Sequence, residues 1–176
     1  MSYDDAMTGV EDAPIPASSI VVGHDGSDGA DCALATTMKL AEQLQAAVVI
    51  VRAWSISTAP RPLSWEFGYM PPFNEYAEAV RSQLVSDTRA IVEQSSRVDV
   101  EYRALHSEAA KSLIETSRDA RMLVVGCRGL GGFAEMVLGS VSHRCVGHAF
   151  CPVLVVRPRA RDSLSADRSQ QELIAS

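Results

Sequence analysis

The chain of 176 residues contains no apolar run long enough to span a bilayer, so no membrane partner is expected. It begins Met1-Ser2-Tyr3-Asp4-Asp5, without the basic start or apolar core of a secretory signal, and a cytoplasmic location is the expectation. Basic charge is not in excess: 16 Lys and Arg against 22 Asp and Glu give a net charge of −6. Such a surface repels phosphate backbones, which argues against nucleic acid as a partner. It leaves room for a pocket that takes one nucleotide, because backbone N–H groups cradle phosphate without net basic charge. The four cysteines (Cys32, Cys127, Cys145, Cys151) form no disulfide framework, and free thiols in a reducing compartment are the simplest reading. No internal repeat is visible. The chain is 47% apolar, enough to build one core.

What is present is alternation. Residues 1–18 read as a flexible lead-in, 19–158 as one domain, and 159–176 as a polar tail with a weakly supported helix over Ser165 to Ile174. Within the domain, Ile20-Val21-Val22-Gly23 is a short strand ending in the turn Asp25-Gly26-Ser27. Ala30, Leu34, Met38, Ala41 and Leu44 then follow helical spacing, with Ser27 or Asp28 as the cap. Ala47 to Val51 is a continuous apolar run of the kind buried on both faces of a sheet. Ser55 to Phe73 holds four prolines together with Trp65 and Tyr69, and reads as a long functional or mobile loop, its aromatics anchored on the core or on a dimer mate in preference to forming a lid. A helix is predicted from Asn74 to about Ser95, with Ala77, Val80, Leu84 and Ile91 on its core face. A strand follows over Val98 to Leu105, then a helix over Glu108 to Asp119 with Ala110, Leu113, Ile114 and Ser117 inward. Met122 to Val125 is a fourth strand, Ser140 to Ala149 a fourth helix, and Pro152 to Arg157 a fifth strand. This order implies an α/β fold: a parallel sheet with right-handed crossovers and helices on both faces. Ligands of such sheets sit beyond the carboxyl ends of the strands, where strand order reverses. If the first and fourth strands are neighbours, their two glycine-bearing loops meet at one crevice.

The most informative stretch runs from Gly126 through Cys127, Arg128, Gly129, Gly131 and Gly132 to Gly139-Ser140-Val141-Ser142. Its glycines permit close approach of another group. Gly139 and Ser140 stand at the start of a helix, where unpaired N–H groups and the helix dipole favour an anion. The hydroxyls of Ser140 and Ser142 add donors. A Walker loop is excluded, because no lysine is present to complete Gly-Lys-Ser/Thr. The dinucleotide fingerprint is matched superficially by Gly129-x-Gly131-x-x-Ala134. It needs a following acidic residue, and Arg144 to Pro158 contains none.

Gly126-x2-Gly129-x9-Gly139-Ser140 resembles the nucleotide-binding signature of ATP-binding universal stress proteins. The likeness extends to Val21-Val22-Gly23-His24-Asp25-Gly26-Ser27, to Leu123 through Gly129, and to His148-Ala149-x-Cys151-Pro152 through Arg157. It covers about residues 18 to 158, in order. The resemblance implies a five-stranded Rossmann-like sheet of order 3-2-1-4-5. It implies ATP as ligand, with or without Mg, or else AMP or cAMP, and regulation by binding with turnover absent or slow. It places Asp25 near ribose or a metal-bound phosphate and the backbone of Ala53 near adenine, and counts Gly23 among the nucleotide-binding residues. Gly126, Gly129, Gly139, Ser140, Val141 and Ser142 match contacts to phosphate and ribose. Arg128 matches a common loop arginine, and Gly131 and Gly132 lie within the same loop. It also implies a homodimer through the strand Pro152–Arg157. Three positions depart from the pattern: Arg52 at a frequent histidine, Ser107 at a common glycine, and Arg121 at a frequent acid.

Other chemistries were weighed on the same residues. Asp25 also suits a turn residue that caps the first helix. His143, Cys145, His148 and Cys151 are close in sequence, but only Cys145 and His148 share a helix face, which disfavours zinc. Cys127 beside Arg128 invites a redox role, against the plainer one of a small filler. Ser140 with His143 lacks a nucleophile elbow and an orienting acid, so no catalytic residue is assigned. A slow ATPase or nucleotidyl transferase on the same fold remains the enzyme alternative.

Overall fold

The computed structural model describes residues 14–62, 71–127 and 138–158. In chain order these form β1 (Ile20–Gly23), α1 (Asp28–Leu44), β2 (Val48–Trp54), α2 (Phe73–Val92), β3 (Val100–His106), α3 (Ala109–Thr116), β4 (Met122–Gly126), α4 (Ser140–His148) and β5 (Val153–Val156). The sheet order is β3-β2-β1-β4-β5, with each neighbouring pair parallel. This is the expected Rossmann-like order. The tail residues 1–13 and 159–176, including the helix considered over 165–174, lie outside the described residues, as do Trp65 and Tyr69.

Strand alternation divides the core into two layers. Ile20 and Val22 of β1, Val48 and Ile50 of β2 and Val124 of β4 turn toward α1 and α2. There they pack on Ala33, Leu34, Met38, Ala41 and Leu84. Val21, Val49, Val51, Leu123 and Val125 turn the other way, onto Leu113 of α3 and Cys145 of α4. These β-branched runs are buried on both faces, as a parallel sheet covered by helices requires. The helices flank the sheet in pairs because the chain winds right-handedly, first outward through β2 and β3 and then back across to β4 and β5.

Element ends differ from the periodicity reading by one to a few residues. Strand β2 runs on through Arg52, Ala53 and Trp54, because β3 continues to pair with it as far as Trp54 opposite His106. Helix α2 starts at Phe73 behind Pro72 and buries Tyr76, Val80, Leu84 and Thr88. Ile91 packs half-buried against the core as expected, and Thr88 joins that face fully buried. Its hydroxyl donates to the Leu84 carbonyl at 2.7 Å, so burial leaves no unmet donor. Helix α3 is shorter than expected, ending at Thr116; Ile114 packs inward as expected, and Ser112 is buried beside Ala110 and Leu113.

Candidate functional site

Because β1 and β4 are neighbours, the chain leaves β1 toward α1 on one face and leaves β4 toward α4 on the other. In a sheet of this topology a crevice forms between the two departures. The turn after Gly23 lies on its β1 side, and Gly126–Cys127 with the start of α4 on its β4 side.

The acidic turn is built locally. Asp25 Oδ1 accepts from the Ser27 N–H at 3.1 Å and from the Ser27 hydroxyl at 2.6 Å. Ser27 is the N-cap of α1, and its Oγ accepts from the Ala30 N–H at 3.3 Å. Asp25 therefore supports the cap through Ser27, and it is exposed. Gly26 has φ of +87°, a left-handed conformation that glycine adopts without strain. Gly23 serves packing as well: a Cβ there would lie 2.9 Å from Leu113 Cδ1, so its bareness lets α3 close on the sheet.

On the β4 side, Cys127 ties three segments together through its backbone. Its N–H donates to the Val156 carbonyl at 2.8 Å, and its carbonyl accepts from the Gly139 N–H at 2.7 Å. The Ser142 hydroxyl donates to the Cys127 carbonyl at 3.2 Å and to the Gly139 carbonyl at 3.0 Å. Cys127 and Gly139, which bracket the glycine loop in sequence, are thus fastened to each other. Arg128, Gly129, Gly131 and Gly132 lie outside the described residues. Gly139 is the N-cap of α4, and no side chain caps that helix. The first-turn N–H groups of Ser140, Val141 and Ser142 have no partner within the helix, and the macrodipole adds partial positive charge there. Ser140 is exposed, Val141 half-buried and Ser142 buried. The Ser142 hydroxyl, expected as a ligand donor, is directed to the backbone of its own loop.

Ala53 lies beyond the last rung between β1 and β2, in which the His24 N–H donates to the Val51 carbonyl at 2.9 Å. Ladder alternation gives Ala53 the same outward side as Val51, so its backbone amide and carbonyl face the region that β1 has left.

A polar network at this end of the α1/α2 layer was not foreseen as part of the site. His24 is 3% exposed, and its Nε2 lies 2.9 Å from Asp31 Oδ1 on α1. Its Nδ1 lies 2.9 Å from Arg52 Nη2. A guanidinium only donates, so Nδ1 accepts and Nε2–H donates to the carboxylate. Arg52 Nε also donates to the His24 carbonyl at 3.0 Å, and Nη1 donates to Asp87 Oδ2 on α2 at 2.8 Å. The signal for this cluster is parity. His24 continues the Ile20, Val22 face and Arg52 the Val48, Ile50 face, so both are carried into one layer.

Among the described residues no group of three or more His, Cys, Asp or Glu is placed to hold a metal ion. Cys145 is fully buried, and burial pushes its thiol up from 9.0 to about 11, whereas His143 and His148 are exposed. Cys127 is 4% exposed. A Mg ion would find one exposed carboxylate, Asp25, and would have to take its other ligands from phosphate and water, as Mg commonly does.

The chain matches the universal stress protein family over residues 17–157. It is 32% identical over 141 residues to a universal stress protein of Mycolicibacterium smegmatis, covering 80% of this chain and 46% of that protein. It thus spans about half the length of the mycobacterial relatives it matches. Against universal stress protein YxiE of Bacillus subtilis it is 28% identical, covering 80% of this chain and 99% of that one. Among solved structures, a universal stress protein in complex with cAMP superposes with a TM-score of 0.60 at 23% identity, covering 81% of this chain and 98% of that one. One from Arabidopsis thaliana with AMP bound gives 0.51 at 19% identity, covering 81% and 94%. The β3-β2-β1-β4-β5 sheet, the acidic turn and the glycine loop belong together for a reason of descent: this chain is a member of the universal stress protein family.

Proposed function

We propose that this chain is a cytoplasmic adenine-nucleotide-binding regulator that holds ATP at the β1/β4 crevice and acts by binding. The observation that carries the reading is that β1, which leads into the Asp25 turn, and β4, which leads toward the uncapped start of α4, are neighbours at the switch point of the sheet. Phosphates would lie on the N–H groups of Ser140, Val141 and Ser142 and on the loop through Gly126, Arg128, Gly129, Gly131 and Gly132. Ribose would sit near Gly23 and Asp25, with Asp25 meeting phosphate through Mg where that ion is present. Adenine would meet the backbone of Ala53. Fold neighbours solved with cAMP, dAMP and AMP support the adenine nucleotide class. Two sets of donors, the backbone of the glycine loop and the start of α4, suit a triphosphate within that class.

Binding is favoured over turnover because hydrolysis needs a group to orient water. His143 is exposed and, among the described residues, has no hydrogen-bonded carboxylate to orient it. Strand β5 is at the sheet edge, paired on one side with β4. Its free edge is the surface proposed for a homodimer through Pro152–Arg157.

Calorimetry with ATP, AMP and cAMP on the wild type, Asp25→Ala and Gly129→Glu tests the site. Loss of affinity in both variants is expected; unchanged affinity in both removes the site. Phosphate release over hours separates a sensor from a slow ATPase.

A further inference from the structure

Arg52 enters the sequence as a departure at a strand end. In the structure its guanidinium is shared among three acceptors: the His24 carbonyl at 3.0 Å, His24 Nδ1 at 2.9 Å and Asp87 Oδ2 at 2.8 Å. Its side chain is 11% exposed. The bonded carbonyl belongs to the peptide that leads directly into Asp25. A Cβ on Gly26 would come into ordinary van der Waals contact with Arg52 Nη2, at 3.6 Å, so the guanidinium lies beside the turn. A continuing ladder would give that same carbonyl to the Ala53 N–H. Arg52 Nε occupies it, and β1 parts from β2 there.

We infer that Arg52 is the positioning residue of the ligand crevice: by taking the His24 carbonyl it splits β1 from β2, aims the Asp25 turn and leaves the Ala53 backbone facing the ligand. The inference rests on the nucleotide reading above for its effect on affinity. Asp87 anchors the guanidinium from α2, and Asp31 holds His24 from α1. A planar fork serves three directions at once, which a lysine ammonium on a flexible stem does not reproduce.

The test is a double-mutant cycle on AMP and ATP affinity, with folding stability measured in parallel. Arg52→Gln and Arg52→Lys are each expected to weaken binding roughly tenfold, the scale of a misplaced contact group. Asp87→Asn is expected to give a smaller loss in the same direction. On an Asp25→Ala background, Arg52→Gln is expected to cost less than about twofold more, because residues acting through one turn are not additive. Full additivity, or full affinity in Arg52→Lys, would overturn the inference. A second measurement stands without nucleotide. Backbone amide shifts of Asp25, Gly26, Ser27 and Ala53 should move in Arg52→Lys while those of Val21, Val49 and Val124 stay. Unmoved turn amides would sink the inference even if the wild type binds nucleotide. Should the wild type bind none, the nucleotide reading fails and these shifts alone decide the role of Arg52.

Discussion

Single groups at the crevice do more than one job, and their backbone bonds are the stronger guide to them. Ser142 donates its hydroxyl to the carbonyls of Cys127 and Gly139 while buried. Removing it takes away one donor shared by two carbonyls that each keep a backbone N–H, that of Gly139 for Cys127 and that of His143 for Gly139. Ser142→Ala is expected to destabilise the fold by about 0.5–1.5 kcal/mol, read from the denaturant midpoint at constant slope. Cys145 gives a pH signature. Its thiol is raised from 9.0 to about 11 by burial, so the folded state keeps a proton that the unfolded state has lost. Its contribution is therefore fully present below pH 9 and is lost as pH rises toward 11, with a size of ~2–3 kcal/mol. Cys145→Ala should flatten that part of the stability profile. A slope in the variant equal to that of the wild type would refute the assignment.

Among the elements, β1 and α3 are fitted to each other at Gly23. The Leu113 methyls occupy the space where a side chain would stand, the nearer one 2.9 Å from an added Cβ. Gly23→Val should push α3 off the sheet and cost about 1–3 kcal/mol by overpacking, visible as a lower thermal midpoint. Trimming Leu113 to Ala in the same chain should restore part of that loss. On the opposite layer, α1 contributes Leu34, which is fully buried against both β1 and β2. Leu34→Ala is expected to cost roughly 2–5 kcal/mol, checked by denaturant unfolding.

At the scale of the whole molecule, the sheet has two edges, β3 and β5. All four residues of β5 are only half-buried within one chain. Phe150, just before it, is 62% exposed, with Arg118 stacked 4.0 Å from its ring centre. Pairing of two β5 edges would cover this region. Light scattering at micromolar concentration should therefore give twice the chain mass; a monomer mass would remove the proposed dimer. Among the described residues no helix is long and apolar enough to cross a membrane.

The apolar runs and their glycine punctuation determined the element order and the parallel sheet, because strand burial on both faces and helical periodicity are written in consecutive residues. They also marked Gly126, Gly139 and Ser140, since a glycine-rich turn entering a helix is a local pattern. Tertiary structure alone decided what His24, Arg52, Asp31 and Asp87 do. Asp31, Arg52 and Asp87 lie on three elements and His24 just past β1, and only the register of β1 on β2 brings His24 and Arg52 within hydrogen-bond reach. It likewise turned the Ser142 hydroxyl inward and gave Gly23 to Leu113, because both outcomes depend on how far helices separated in sequence approach the sheet.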